Sequence, residues 1–407
     1  MKLATIIRNK LITARNIGFK KSCYIILTRY LYMGILINFI RRIVYSGKYN
    51  HLLKILENKN FILYPPFMSW DIPMFQRPQH LAIKLAEKGF LFIYCTNNMY
   101  DRNLGVVEIQ PNLFIVDSYF YKNLIKLQQK KVIILHPNHH NLYNKQLLDK
   151  LLLKDNSVIY DYLDDLGEEV FGKITEYHKA LHKSILNDER IICLASADVL
   201  YKQAQNYRTK NLYLVPNATD PNHFTNVKNA EITHYFDFNK KTIGYFGALA
   251  KWVDFELIIK IAQHYPEIQI VLIGQKYDSA LDSYKFNQYK NIIFPGPINY
   301  KILPNYAKYF DVSIIPFLIN ETTVATSPIK LFEYMSLGKP IVTTDLPECR
   351  KYQSTLVAKT HDEFINLLDR ALTISRDDPY FNILKQEAKN NSWDARADEI
   401  IKAMNNS

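Results

Sequence analysis

Residues 326–345, TSPIKLFEYMSLGKPIVTTD, combine the start and stop signals of a short helix. Ser327 predicts an N-cap, Pro328 suits the first helical position, and Gly338 predicts the end of the helix. The helix would begin just after a strand predicted at 312–315. Free backbone N–H groups and the positive end of the helix dipole make such a start a ready site for phosphate.

Two charged side chains follow in the same predicted helix. Lys330 lies in the first turn, where the helix dipole alone disfavours a cation, so we expect an anion beside it. Glu333 lies about one turn further on, where its carboxylate can accept hydrogen bonds from two adjacent hydroxyl groups. The alternative is an ordinary capped helix that carries a lysine and a glutamate on its surface.

A second segment, residues 242–254 (TIGYFGALAKWVD), predicts a strand that ends at Gly247. A glycine in that place lets a ligand approach the backbone closely. Lys251 would then reach a diphosphate, and the alternative for it is a solvated surface lysine. The chain has neither GxGxxG nor a Walker lysine, which argues against dinucleotide oxidoreduction and phosphate-loop hydrolysis.

Two aspartates follow a predicted strand within residues 160–165, YDYLDD. Asp161 and Asp164 are three residues apart, and they can orient a hydroxyl group or serve as a general base. The alternative is that these acids cap a following helix. There is no strict Asp-x-Asp here, which argues against a nucleotide-sugar site built on a metal ion.

Three histidines follow the strand predicted at 131–135, in the segment HPNHHN. His136, His139 and His140 suggest zinc, but no HExxH motif or acidic fourth ligand accompanies them. We therefore expect hydrogen-bonding histidines near a cleft, with His136 among them, and no metal.

Residues 69–80, SWDIPMFQRPQH, follow the first strand of the body. Trp70, Arg77 and His80 would lie on a loop and a first helical turn, where an aromatic ring and a guanidinium suit a sugar or a phosphate. The alternative is a packed tryptophan and a surface arginine.

Short apolar runs alternate with helical stretches along residues 61–407, which predicts parallel sheets with helices on both faces. The first series of strands is predicted at 61–64, 90–95, 113–116, 131–135, 157–160, 191–194 and 212–215. After an irregular polar stretch to about residue 241, the second series is predicted at 242–246, 268–273, 292–294, 312–315 and 340–343. This order favours two facing Rossmann-like domains, at 59–222 and 223–391, with ligands bound outside the carboxyl ends of the strands.

Length, cysteine content and charge indicate the number of domains, the redox compartment and where the basic residues lie. The chain has 407 residues, which fits two domains, and its four cysteines form no CxxC pair, which suits a reducing compartment. The formal net charge is +12, and residues 1–60 hold twelve lysines and arginines against one acid, Glu57. The basic charge therefore belongs to an N-terminal extension, and the body is nearly neutral.

This extension, residues 1–58, is apolar as well as basic and has a helical pattern. Residues 22–40 have the length of a membrane span, but Arg29 in the middle makes a span costly. We expect a helix that lies on an anionic membrane surface, with packing onto the body or a partner subunit as the alternative. No nucleic-acid motif is present, so we expect no nucleic-acid partner and a cytoplasmic, peripheral location at the inner face of the cell membrane.

The chain resembles nucleotide-sugar glycosyltransferases of the GT-B fold, especially family 4 members of teichuronic-acid and capsule biosynthesis. The resemblance covers roughly residues 61–407. It rests on the segments SWDIPMFQRPQHLAIKLAEKG, VIYDYLDDL, LASADVLYKQA, LVPNATDPNHF, TIGYFGALAKWVDFELI, IVLIGQ and SPIKLFEYMSLGKPIVTTDLPE.

The resemblance implies transfer of a sugar from a nucleoside diphosphate sugar to a glycan or lipid-linked acceptor, with retention and without a metal or other cofactor. Glu333 matches the family glutamate that binds the donor ribose, and the backbone of Ser327, Pro328 and Ile329 matches the part that holds the diphosphate. Gly247 and Lys251 lie in the phosphate-binding segment, and Gly274 lies near the nucleotide.

The resemblance also assigns residues 392–407 to a last helix that crosses back onto the first domain.

Two departures leave other functions open. The family's Glu-x7-Glu pattern has its second glutamate at Glu333 and would need its first at position 325, where this chain has Ala325. The nearby Glu321 is out of register. Where many members place a histidine after an N-domain strand, this chain has Asp161. A catalytically inactive paralogue that acts as a membrane- or partner-binding scaffold, and a nucleotide-sugar 2-epimerase, are the alternatives.

Overall fold

The computed structural model describes residues 33–72, 74–97, 101, 105–137, 143–154, 156–166, 174–225, 235–375 and 377–406. The expectations for residues 1–32 and for His139 and His140 lie outside this part of the chain.

Fourteen strands are present in the described residues, and nine of the predicted runs agree with them at one or both ends to the residue. They are β1 Phe61–Tyr64, β2 Phe92–Thr96, β3 Val106–Gln110, β4 Leu113–Asp117, β5 Lys131–Leu135, β6 Ser157–Tyr162, β7 Ile192–Ala195, β8 Leu212–Leu214, β9 Thr242–Phe246, β10 Gln269–Ile273, β11 Ile292–Gly296, β12 Val312–Ile315, β13 Ile341–Thr344 and β14 Thr355–Ala358. Strands β3 and β14 were not predicted from the sequence.

Helices separate most of the strands. The α-helices of the described residues are α1 Met33–Leu56, α2 Arg77–Glu87, α3 Ser118–Leu124, α4 Lys145–Leu152, α5 Glu176–Leu186, α6 Asp198–Gln205, α7 Pro221–Thr225, α8 Phe255–His264, α9 Leu303–Ala307, α10 Glu321–Val324, α11 Ile329–Leu337, α12 His361–Thr373, α13 Tyr380–Asn390 and α14 Trp393–Asn405. Short 3₁₀ turns occur at Ala280–Ser283, Phe286–Gln288, Tyr300–Ile302 and Cys349–Lys351.

The strands form two sheets of the doubly wound kind. The strand order is β3-β4-β2-β1-β5-β6-β7-β8 in one sheet and β11-β10-β9-β12-β13-β14 in the other. In the second sheet all strand pairs are parallel, and in the first the edge strand β3 runs antiparallel to β4. The predicted α/β fold with two mostly parallel sheets is thereby confirmed.

The chain divides into two compact units. Unit 1 contains the described residues of 1–72, 85–135 and 149–157, and unit 2 contains those of 73–84, 136–148 and 158–407. The boundaries expected at 59, 222 and 391 remain a prediction.

The end of the N-terminal extension packs within unit 1. On α1, Tyr49, Leu52 and Leu56 are buried, and the Tyr49 ring stacks on Phe120 at 4.2 Å between centroids. This part of the extension therefore shows the packed arrangement that the sequence left as an alternative. No helix within the described residues combines the length and the apolar character that a membrane crossing needs.

The second sheet is the apolar centre of unit 2. All five residues of β9 and of β10 are buried, as expected for parallel strands covered by helices on both faces. This burial fixes the carboxyl ends of β9, β10 and β12, from which the candidate site is built.

Candidate functional site

Helix α11 begins one residue later than the sequence predicted. Its N-cap is Pro328, whose side chain cannot accept a hydrogen bond, and it ends at Gly338 in the left-handed conformation with φ 63°. Ser327 is therefore not the N-cap. Its hydroxyl accepts a hydrogen bond from the backbone N–H of Asn217 at 3.3 Å. The first N–H groups of α11 thus lack a cap from a side chain at the N-cap position, and this end can take an anion.

Lys330, in the first turn of α11, is a partly buried cation. Its Nζ lies 4.6 Å from the centroid of the Phe317 ring and 5.5 Å from that of Tyr245. Burial lowers the pKa of Lys330 to about 8, and the nearby Glu333 opposes this shift. Because a buried ammonium is costly, an anionic ligand beside it would be strongly favoured.

Glu333 lies one turn along the same helix and is 5% exposed. Burial raises the pKa of its carboxyl group to about 8, and Lys330 acts in the opposite direction. A carboxyl group held in such an unfavourable environment is a candidate for ligand binding. Glu333 and Lys330 thus form a coupled pair, and each makes the charged form of the other less costly.

Three glycines bring the ends of neighbouring strands close together. The N–H of Gly247 donates to the carbonyl oxygen of Ile273 at 2.9 Å, and the N–H of Gly274 donates to that of Gly296 at 3.0 Å. A Cβ atom on Gly274 would stand 1.7 Å from the carbonyl oxygen of Gly247. Side chains are therefore excluded here, and the backbone of Gly247 forms a wall of the site beside Lys330.

Lys251 lies in an exposed turn between β9 and α8. Its backbone N–H donates to Oδ2 of Asp278 at 3.0 Å, and the described contacts do not join its side chain to Lys330 or Glu333. Its expected roles in catalysis and phosphate binding stay predictions.

A second polar cluster of unit 2 is centred on Asp161. Nε of Arg77 donates to Oδ1 and Oδ2 of Asp161 at 3.1 and 3.0 Å, and both side chains are 1% exposed. Nε2 of His136 lies 3.5 Å from Oδ2 of the same carboxylate. Burial lowers the pKa of His136 to about 4, although Asp161 opposes the shift, so the imidazole is neutral near pH 7. The sequence analysis gave Asp161 a catalytic role and placed Arg77 and His136 at the cleft, and the structure brings the three side chains together.

The ion pair changes what Asp161 can do. Both carboxylate oxygens of Asp161 accept hydrogen bonds from the Arg77 guanidinium. Asp161 is therefore better placed to hold Arg77 and His136 than to accept a proton. Asp164, three residues on, is partly buried, and burial together with Asp161 and Asp165 raises its pKa to about 6. The catalytic roles of Asp161 and Asp164 stay predictions.

Asn217 joins the two clusters, and the sequence analysis gave it no role. Its Nδ2 donates to the carbonyl oxygen of Ser327 at 2.6 Å, and its Oδ1 accepts from NH1 of Arg77 at 3.4 Å. The same NH1 donates to the carbonyl oxygen of Pro216 at 3.0 Å. Asn217 therefore fixes the loop before α11 relative to the buried Arg77–Asp161 pair.

The two remaining cleft candidates are packed. The His80 ring stacks on Trp393 at 4.9 Å between centroids, and burial lowers the pKa of His80 to about 3. Trp70, in unit 1, is 8% exposed, and its ring meets Tyr94 edge-on at 5.2 Å. The structure gives both rings a packing role, and acceptor binding by them stays a prediction.

The last helix lies within unit 2. The backbone N–H of its Trp393 donates to the carbonyl oxygen of Thr219 at 2.8 Å, and Nε of Arg396 donates to the carbonyl oxygen of Pro216 at 3.1 Å. These bonds place α14 against the segment that carries Asn217.

In the part of the chain that the structure describes, no group of three or more His, Cys, Asp and Glu side chains is arranged to hold a metal ion.

A family model and a curated relative match parts of this chain. Residues 240–373 match the model of the family Glycosyl transferases group 1, and this region contains Gly247, Lys330 and Glu333. The chain is 25% identical over 265 residues to a putative teichuronic acid biosynthesis glycosyltransferase, TuaH, of Bacillus subtilis. The match covers 61% of this chain and 66% of that relative, slightly under two thirds of its length.

Solved structures with the same fold include sucrose-phosphate synthase of Thermosynechococcus elongatus, at a TM-score of 0.66 and 13% identity, covering 86% of this chain and 99% of that one. HepE of Anabaena, solved in complex with UDP and glucose, matches at a TM-score of 0.61 and 11% identity, covering 86% of this chain and all of that one. The resemblance to GT-B glycosyltransferases is confirmed by these findings.

Proposed function

Because residues 240–373 match the model of the family Glycosyl transferases group 1, we propose that the chain transfers a sugar from a nucleoside diphosphate sugar to a glycan or lipid-linked acceptor. We place this reaction in cell-surface polysaccharide biosynthesis, which the relation to the B. subtilis protein supports. The observation that carries the proposal is the pairing of Lys330 and Glu333 on α11, beside the glycine wall at Gly247.

These residues suit the departure of a nucleoside diphosphate. As the glycosidic bond breaks, the leaving diphosphate gains negative charge, and the uncapped N–H groups of α11 with the Lys330 ammonium stabilise it. Stabilisation by these groups is the basis on which we propose a reaction that needs no metal ion. Glu333, one turn along, accepts hydrogen bonds from the two ribose hydroxyls of the donor.

The Asp161 cluster would lie on the side of the site where the reacting sugar binds. Arg77 and the neutral His136 are held in fixed positions by one buried carboxylate. Retention of configuration at the anomeric carbon is part of the proposal. It predicts an α-linked product from an α-linked donor, which the anomeric proton coupling in an NMR spectrum of the product tests.

We further propose that the protein works in the cytoplasm at the inner face of the membrane, held there by its basic N-terminal extension. Removal of residues 1–32 is then expected to impair transfer to a lipid-linked acceptor and to spare hydrolysis of the donor. Equal loss of both activities would contradict this part of the proposal.

A thermal-shift screen tests the donor site directly. Wild type and Glu333→Ala are heated with UDP, GDP and their common sugars, each with and without Mg²⁺. A nucleotide at 100 times its Kd is expected to add about 2.7 kcal/mol to the free energy of unfolding of the wild type. The stabilisation is expected without Mg²⁺ and is expected to be lost in Glu333→Ala.

The contrary outcome has a defined meaning. Ala325, at the C-cap of α10, is 1% exposed and offers no side-chain hydrogen bond to a sugar. If no nucleotide stabilises the wild type, the alanine at 325 in place of the family glutamate marks a chain that has lost donor binding. The scaffold function then replaces the transferase function. Free sugar products formed without an acceptor would instead indicate the epimerase.

A further inference from the structure

A cavity of unit 2 lies at the amino ends of the strands of the second sheet, at the opposite end of these strands from the candidate donor site. It has a volume of about 350 Å³. Its lining includes Thr242 and Gln269, the first residues of β9 and β10, and Asp311, which directly precedes β12. The donor site lies at the carboxyl ends of these strands, and a strand of five residues is about 16 Å long. The two sites are therefore separate.

The lining of this cavity is strongly basic. Four lysines, Lys240, Lys241, Lys308 and Lys339, line it against one carboxylate, that of Asp311. Oδ2 of Asp311 accepts a hydrogen bond from the N–H of Thr242 at 2.8 Å. The acid is thus engaged in holding the start of β9, and the positive charge of the cavity exceeds the negative charge.

The described partners of three of the lysines are weak or neutral. Lys240 and Asp237 are 4.0 Å apart, and both side chains are about half exposed, so this ion pair contributes little. Nζ of Lys241 donates to the carbonyl oxygen of Leu372, and Nζ of Lys308 lies 5.0 Å from the centroid of the Tyr309 ring. None of these contacts neutralises a charge in full.

An exposed aromatic ring stands at the mouth of the cavity. Phe238 is 57% exposed, and its ring meets that of Tyr309 edge-on at 5.0 Å. Aromatic side chains next to lysines are typical of surfaces that meet the headgroup region of a bilayer. A soluble phosphate would use the lysines but would gain nothing from Phe238.

We propose that this cavity binds the phosphate of an anionic phospholipid headgroup, with the lysines around the phosphate and Phe238 in the interface. The site would give unit 2 its own contact with the membrane, independent of the N-terminal extension and of nucleotide binding.

Binding of the full chain to phosphatidylcholine vesicles with and without phosphatidylglycerol tests the proposal. The double variant Lys240→Ala/Lys308→Ala is compared with Lys389→Ala/Lys402→Ala, which removes the same charge from exposed positions on α13 and α14. At about 1 kcal/mol for each lysine near an anionic surface, the cavity variant is expected to bind anionic vesicles about 30-fold more weakly. The control is expected to change by less than threefold, and both variants should keep the melting temperature of the wild type.

Two further probes separate the possible ligands. Phe238→Ser is expected to weaken vesicle binding and to leave any binding of glycerol phosphate unchanged. Equal weakening of vesicle binding by both lysine pairs would show diffuse charge attraction and overturn the proposal. Tight binding of glycerol phosphate that depends on Lys240 and Lys308, with no effect of Phe238→Ser on vesicles, would identify a soluble ligand and overturn it as well.

Discussion

Gly247 and Lys330 share one small space. A Cβ atom on residue 247 would stand 2.8 Å from Cε of Lys330, and Gly247 has φ 149°, which side chains disfavour. The glycine at the end of β9 therefore leaves room for the stem of the lysine, which places the ammonium between the backbone of that strand end and the start of α11.

This arrangement predicts that Lys330, more than Lys251, determines nucleotide affinity. Lys330→Met keeps the length of the stem and its packing on Phe317 and removes the charge. We expect it to weaken UDP or GDP binding about 10- to 100-fold, because a partly buried charge is screened little by water. Isothermal titration calorimetry measures the change, and Lys251→Met, at an exposed position, is the control. A larger loss in the Lys251 variant would place the diphosphate at the turn after β9.

Glu333 gives the free protein a defined pH dependence. Burial raises its pKa from about 4.5 to about 8, so the folded state holds a proton that the unfolded state has lost between these values. The free energy of unfolding is therefore expected to fall as the pH rises from about 4.5 to 8. Glu333→Gln lacks this titration and should gain stability over the wild type across the same range, on the order of 1–3 kcal/mol at pH 8.

Urea unfolding of the nucleotide-free protein at pH 5 and pH 8 measures this difference. Lys330, whose pKa is lowered from 10.5 to about 8, changes the free energy of unfolding mainly above pH 8, outside the interval from pH 5 to pH 8. The result that contradicts the assignment is an equal free-energy difference between variant and wild type at both pH values.

The glycine wall is the third testable feature. Gly274→Ala would place a Cβ atom 1.7 Å from the carbonyl oxygen of Gly247, and backbone cannot move aside as a flexible side chain can. We expect a loss of more than about 3 kcal/mol of stability, or no folded protein. Gly47→Ala is the matched control, since no described atom lies within 4 Å of the new Cβ and helix α1 gains about 0.5–1 kcal/mol. Circular dichroism melting curves of both variants give the comparison.

Local patterns predicted the strands and the end of α11 well. The runs at β1, β5, β9 and β12 agree with the structure at both ends because they are mostly apolar stretches bounded by polar or turn residues. Strand β3 was missed because it is an edge strand with one buried residue, and its sequence VVEIQ has only three apolar residues. Periodicity gives a weak signal for such a strand.

The contacts that assemble the site are not visible in local sequence. Asn217 bonds Ser327 and Arg77, which are 110 and 140 residues away, and its own surroundings read as an ordinary turn. Ser327 looks like a helix cap by type and spacing, but its hydroxyl accepts from the backbone of Asn217. Ser327 thus bonds a residue 110 positions away and does not cap its own helix, and residue spacing cannot predict such a contact.

The pairing of Arg77 with Asp161 leads to the last prediction. Both groups are 1% exposed, so removal of one charge leaves the other buried without its counter-ion. Asp161→Asn is expected to destabilise the protein by about 3–5 kcal/mol, and Arg77→Met by a similar amount. The double variant Arg77→Met/Asp161→Asn is expected to lose far less than the sum, because no uncompensated charge remains.

Urea unfolding of the four proteins gives this coupling energy, and nucleotide binding of the variants that fold shows what the pair does. Arg77 donates to Oδ1 of Asn217, which in turn holds the carbonyl group of Ser327 before α11. If the pair positions this loop, the double variant should fold and yet bind nucleotide more weakly, and Asn217→Ala should weaken binding in the same way. Full nucleotide affinity in both variants would show that the pair serves the stability of unit 2 alone.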